Sequence, residues 1–94
     1  DEELTLFDLL LRDDLSKQDI KKLKEVAASL LQKIKTLISQ FDHWTDKQAT
    51  KSAVDNLIRD TLWAELPECY DEVSISKYRQ KVYEYVYMRY KDIA

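Results

Sequence analysis

Residues 15–41 read LSKQDIKKLKEVAASLLQKIKTLISQF, and this stretch decides the fold. The apolar residues Ile20, Leu23, Ala27, Leu30, Ile34, Leu37 and Phe41 alternate between steps of 3 and 4, the seam of packed helices. Val26, Leu31 and Ile38 widen that seam to an arc of roughly 140° at 100° per residue. A helix over about 17–40 therefore lies across a core rather than pairing along a narrow stripe. Its start is written just before it. Ser16 can cap, Asp19 can reach back from the third helical position, and Leu15 can staple onto Ile20.

Three more helices follow from the same kind of reading. Residues 3–12 (ELTLFDLLLR) suit a short helix that needs packing to persist. Asp42-His43 is a turn, after which Trp44-Thr45 repeats the start device: Thr45 caps, Gln48 completes the box and Trp44 staples onto Ala49. The third helix, about 46–65, turns Ala53, Val54, Leu57, Ile58 and Leu62 one way, with Asp55 and Arg59 as an i,i+4 pair on the other. Pro67 stops it. A linker from Pro67 to Ser76 leads to a last helix over about 76–92. On it Ile75, Tyr78, Val82, Tyr83, Tyr85, Val86, Tyr87 and Tyr90 cover about 200° of the wheel, more than an ordinary surface helix needs.

Composition agrees. The 94 residues contain no glycine, where average usage of about 7% predicts six or seven. Usual two-residue hairpin turns and glycine-rich phosphate loops are thereby disfavoured. The expectation is an all-α fold, a small bundle of about four helices forming one domain over 1–94. The absence of an initiator Met suggests a piece cut from a longer protein. No uninterrupted run of about 18 apolar residues suggests a membrane span. The lone Cys69 points to a reducing, cytoplasmic setting.

Charge is uneven. Residues 1–14 carry net −5, 15–40 net +4, 41–72 net −5 and 73–94 net +3, within a total of −3. Neighbouring helices of opposite sign can complement one another. The basic residues of the second helix also admit a second reading: Lys17, Lys21, Lys24 and Lys35 fall on one flank of the apolar arc and Lys22 edges the other. Lysines so spaced can follow a phosphate backbone, because each neutralised phosphate releases counterions.

Little else carries chemistry. His43 is the only histidine, and catalytic or metal sites recruit several ligating groups at defined spacing. Cys69 sits among Glu68, Asp71 and Glu72, whose carboxylates disfavour a thiolate. No catalytic residue, metal ligand or cofactor is expected in this segment. The tyrosines admit core packing, base stacking or protein docking. Trp63 lies about 100° outside the apolar arc of its helix, so it either folds under the next loop or anchors a partner.

The run from Asp42 through Trp44-Thr45, Ala53-Val54, Leu57-Ile58, Leu62-Trp63 and Leu66-Pro67 to the tyrosine-rich helix resembles the C-terminal region of the motor (restriction) subunit of type I restriction-modification enzymes. The likeness covers about 41–94, and residues 16–40 in style only. Many members carry a basic Trp-Thr helix and a Gly-Tyr-Pro stop, whereas this chain has an acidic helix and a Leu-Pro stop, as in a variant branch. The resemblance implies a non-catalytic helical domain that seats the motor subunit on the methyltransferase and specificity subunits, with contact to DNA as a further expectation. The resemblance also implies that the chain is a C-terminal fragment of a larger subunit, and for the docking role the wheels themselves offer Trp63, Tyr83, Tyr87 and Tyr90 as the expected partner contacts. ATP and Mg2+ belong to the full-length subunit, an ATP-dependent endonuclease and translocase whose motifs are not in this segment. The alternative from another class is a DNA- or nucleotide-phosphate-binding module using Lys17, Lys21, Lys22, Lys24 and Lys35.

Overall fold

Four α-helices account for most of the chain, in a computed structural model that describes residues 1–91: α1 (Glu2–Leu10), α2 (Lys17–Ile38), α3 (Gln48–Glu65) and α4 (Glu72–Tyr90). Each packs on its sequence neighbour, and α1 also meets α4, which closes the four into a ring around one core. No strand occurs among the described residues. The Cα radius of gyration is 13.1 Å, close to that of a compact domain of this length. None of the described helices is long and apolar enough to cross a membrane.

The middle of the α2 seam behaves as its spacing requires, while Ile20, Leu37 and Phe41 towards its ends are only partly buried. Leu23, Val26, Ala27, Leu30, Ile34 and Ile38 are buried, and the Ser16 hydroxyl accepts from the Asp19 amide at 3.1 Å to start the helix. Val54, Ile58 and Leu62 of α3 and Val82 and Val86 of α4 meet it from the other side. Leu66 ends α3 in an extended conformation, as the residue before Pro67 must.

Four local expectations are overturned. Thr45 does not cap α3. Trp44–Asp46 form a separate 3-10 turn, and α3 begins at Gln48 after an extended Lys47 that makes no side-chain cap. The Thr50 hydroxyl reaches the carbonyls of Trp44 and Lys47, and Gln48 donates forward to Ser52 at 3.1 Å instead of closing a box. The reason is Trp44. Its indole is fully buried in the core while Ala49 is exposed, so no staple joins them. Carrying so large a ring inward takes the extra turn, and His43 makes the reversal in the left-handed region (φ 49°) without glycine.

The last helix starts four residues earlier than its expected position, because Asp71 caps it by accepting from the Ser74 amide at 2.8 Å. Its expected end at residue 92 lies outside the described residues. Asp55 and Arg59 do not pair with each other. Asp55 reaches across to Arg79 (3.5 Å) and Arg59 to Asp60 (3.2 Å), since a neighbouring helix offers Asp55 a partner that its own helix surface does not outcompete. Arg12, expected inside α1, lies beyond its end and ties two loops. Its guanidinium holds Asp14 at 2.8 and 3.0 Å, donates to the Cys69 carbonyl at 2.9 Å and stacks 5.0 Å from the Tyr70 ring centroid.

Candidate functional site

The two tryptophans have opposite fates. Trp44 is sealed in the core, edge-on to Tyr83 (6.3 Å) and Tyr87 (5.8 Å), with its Nε1–H donating to the Tyr90 carbonyl at 3.1 Å. Trp63 is 63% exposed. It follows Leu62, the last buried residue of α3, by one helical step, and that rotation carries it off the core face. It does not fold under the Leu66–Asp71 connection. Instead it lines a groove of about 190 Å³ with Arg59, Glu72, Ile75, Ser76 and Arg79.

That groove belongs to a longer surface between α3 and α4. On α3, residues 48, 52, 55, 59 and 63 follow one another at steps of 4 or 3, and on α4 so do 72, 76, 79, 83 and 87. A second recess, lined by Gln48, Lys51, Ser52, Asp55 and Tyr83, lies further along, with the Asp55–Arg79 ion pair between the two. Of the docking residues expected from sequence, the structure thus places Trp63 and Tyr83 at two points of one face, with the half-buried Tyr87 beside Tyr83. Tyr90 is elsewhere: 7% exposed, its ring faces the interior. Burial first, then the Asp55 carboxylate and Tyr87, push the Tyr83 hydroxyl's pKa up, so it stays a neutral donor at this rim.

Arg59 and Arg79 are groove residues that the sequence did not single out for docking. The signal for Arg59 was present, since it precedes Trp63 by one turn. The cross-helix neighbour Arg79 could not be read without the α3–α4 register. Both guanidiniums have a carboxylate at 3.2–3.5 Å, which leaves the groove nearly neutral around an exposed indole. An aromatic flanked by arginines is the usual make-up of an interface anchor.

The lysines divide. Lys35 lies 3.6 Å from Glu2 of α1, and Lys33 closes on Glu65 at 2.7 Å. Lys17, Lys21, Lys22 and Lys24 are exposed and have no ion-pair partner among the described residues. Lys24 lies 6.0 Å from the Phe7 ring centroid. At the end of the bundle where α1 begins, Glu2 also faces Arg89 at 3.9 Å, and Glu2 Oε2 and the Tyr90 hydroxyl are buried without a hydrogen-bond partner among the described residues.

Among the described residues, groups suited to bond-making chemistry do not converge. His43 and Cys69 are exposed on different loops, and no cluster of three or more His, Cys, Asp or Glu that could hold a metal occurs among the described residues. Comparison with protein-family models, with curated proteins and with solved structures finds no match.

Proposed function

We propose that this chain is a non-catalytic docking domain that presents the α3–α4 face to another protein. The observation that carries this reading is Trp63, 63% exposed in a groove that it lines together with Arg59 and Arg79. A tryptophan buries roughly 150–250 Å² when covered, so about two-thirds of that is still to be gained on binding. At about 25 cal/mol per Å² the gain is roughly 2–4 kcal/mol, enough to make one residue dominate an interface.

The likeness of residues 41–94 to the C-terminal region of type I restriction motor subunits supports a specific partner, the methyltransferase–specificity core of such a complex in the cytoplasm. In that setting the domain needs no cofactor, and ATP and Mg2+ serve the motor domains of the parent subunit. The test is affinity of the chain for that core. Trp63→Ala is expected to weaken it by about thirtyfold, the equivalent of 2 kcal/mol, with the helical content unchanged. Wild-type affinity in the variant would remove the anchor.

A second reading rests on Lys17, Lys21, Lys22 and Lys24, exposed and unpaired among the described residues, with Lys35 further along α2. Here the chain would touch the phosphate backbone of DNA held by the complex. Its signature is a salt dependence of about one log unit per log unit of salt for each phosphate contacted. Affinity insensitive to salt removes it.

A further inference from the structure

Three helices meet around Glu2. Lys35 comes from the last turn of α2 and Arg89 from the last turn of α4, and with Ile38, Ser39 and Tyr90 they line a recess of about 470 Å³ beside Glu2. Ile38 is 4% exposed and Tyr90 7%, which gives the recess an apolar floor. The Ser39 hydroxyl is committed to the Thr36 carbonyl at 2.7 Å. Two cations, one carboxylate and one phenol make up the rest of its polar lining.

These four groups do not satisfy one another. Lys35 Nζ stands 3.6 Å from Glu2 Oε1, and Arg89 Nε stands 3.9 Å from Glu2 Oε2, both beyond hydrogen-bond length. Elsewhere the molecule closes such pairs fully, at 2.7 Å for Lys33–Glu65 and 2.8 Å for Arg12–Asp14. Glu2 Oε2 and the Tyr90 hydroxyl are buried without a hydrogen-bond partner among the described residues. The turn that carries Glu2 is pinned by Asp1, whose carboxylate accepts from the Glu3 and Leu4 amides at 2.9 and 3.3 Å. One carboxylate is thus shared between cations borne by two other helices and meets neither closely. Buried polar groups are ordinarily paired, so an unpaired cluster of this kind calls for a further partner.

The charge count sets the chemistry of that partner. Lys35 and Arg89 bring two positive charges against the one negative charge of Glu2, and their side chains are 49% and 58% exposed, open to a ligand from solvent. Water can serve the phenol, but it cannot balance the second cation. An anion with several oxygens can face the Lys35 ammonium, the Arg89 fork and the Tyr90 hydroxyl at once. We propose that this recess binds a small oxyanion, a carboxylate or a phosphate, and that Glu2 is its built-in competitor. The ligand's oxygens close on Lys35 and Arg89 to hydrogen-bond distance as the Glu2 carboxylate turns aside and uncovers the Tyr90 hydroxyl. Displacing Glu2 offsets much of the gain, so binding is weak, and salt screens it.

Amide NMR titration of the 94-residue chain tests this, with sodium phosphate and sodium acetate added separately at constant ionic strength and each variant first checked for wild-type helicity. Saturable shifts are expected at residues 2–4, 35–39 and 89–91 in the millimolar range, and the probe that saturates first names the better ligand class. Glu2→Gln removes the competing charge and is expected to tighten binding by about fivefold. Lys35→Ala/Arg89→Ala changes two half-exposed positions and should abolish the shifts, and Tyr90→Phe should weaken binding. Trp63→Ala and Lys21→Ala/Lys24→Ala should leave both titrations unchanged, so this site, the docking face and the phosphate-backbone reading of α2 fail independently. The absence of a saturable shift with either probe, or binding that survives Lys35→Ala/Arg89→Ala, would overturn the proposal. So would binding that Glu2→Gln fails to tighten, that is indifferent to Tyr90→Phe, or that is lost with Trp63→Ala or Lys21→Ala/Lys24→Ala.

Discussion

Replacing Trp44 by Phe separates the two tryptophans most sharply. Phe keeps an aromatic ring between Tyr83 and Tyr87 but removes the indole N–H that donates to the Tyr90 carbonyl at 3.1 Å. The lost hydrogen bond costs about 1 kcal/mol, and the smaller ring forfeits part of the buried area for about another. A total near 2 kcal/mol is large against the roughly 5–14 kcal/mol available to a chain of this length. At about 4–8 °C per kcal/mol, Tm should fall by about 8–16 °C. Trp44→Ala, at about 3–5 kcal/mol, approaches the whole stability of a weak domain. Trp63→Phe is the control, since it changes an exposed site and should stay within about 0.5 kcal/mol. Thermal unfolding followed by circular dichroism reads all three, and fluorescence assigns the sites: Trp44→Phe leaves only the solvent-exposed indole, so emission shifts to the red. If Trp44→Phe and Trp63→Phe melt within a degree or two of each other, the argument that Trp44 joins the Trp44–Asp46 turn to α4 is wrong.

Other perturbations bear on the remaining joints. Tyr70→Phe removes the hydroxyl that donates to the Leu10 carbonyl and should cost about 1–2 kcal/mol in denaturant melts. Burial holds the folded-state pKa of Tyr70 above its ordinary value, so its contribution is complete below about pH 10 and is lost as the pH rises through the folded pKa; the Phe variant should lose less stability in that range. For Asp71 the sign is opposite. The Ser74 amide and hydroxyl hold its carboxyl below the usual range, so its stabilisation is present above about pH 4 and lost as pH falls through the depressed value. Asp71→Asn should therefore show a shallower drop in Tm on acidification than the wild type, and equal slopes would contradict the cap. Arg12→Lys keeps the charge but not the planar fork that spans Asp14, the Cys69 carbonyl and the Tyr70 ring, and faster hydrogen exchange at residues 68–71 is the expected result.

The architecture was legible because α2 states its period over many residues and its cap in one, and because Pro67 ends α3 without ambiguity. The α3 arc of Val54, Ile58 and Leu62 likewise reads directly from its spacing. What failed was set by competition between near and distant partners. Thr45 and Gln48 have the right spacing for a capping box, yet the burial of a whole indole outweighs one cap worth about 1 kcal/mol. The Asp55–Arg59 pair is sound on an isolated helix, where it would contribute a few tenths of a kcal/mol, but the approach of α4 supplies Arg79 instead. Asp71 looked like one acid among several in a linker, and only its bond to Ser74 marks it as a cap.

The proposed docking face was legible in part for the same reason. The wheel alone puts Trp63 outside the core arc. Whether the following loop covers it depends on how Leu66–Asp71 runs, and the loop leaves it open. The tyrosine surplus is divided by partners the sequence does not show: Trp44 holds Tyr83 and Tyr87, Arg12 stacks on Tyr70, and Tyr90 is drawn inward at the end of α4.

The central claim is that the α3–α4 face docks on another protein. Hydrogen–deuterium exchange of the chain, with and without the methyltransferase–specificity core, tests it directly. The account predicts protection on binding concentrated at residues 55–63 of α3 and 72–83 of α4, lost in Trp63→Ala, with α2 residues 17–24 unaffected. Protection confined to residues 17–24, or none on α3 and α4 at saturating core, would contradict it.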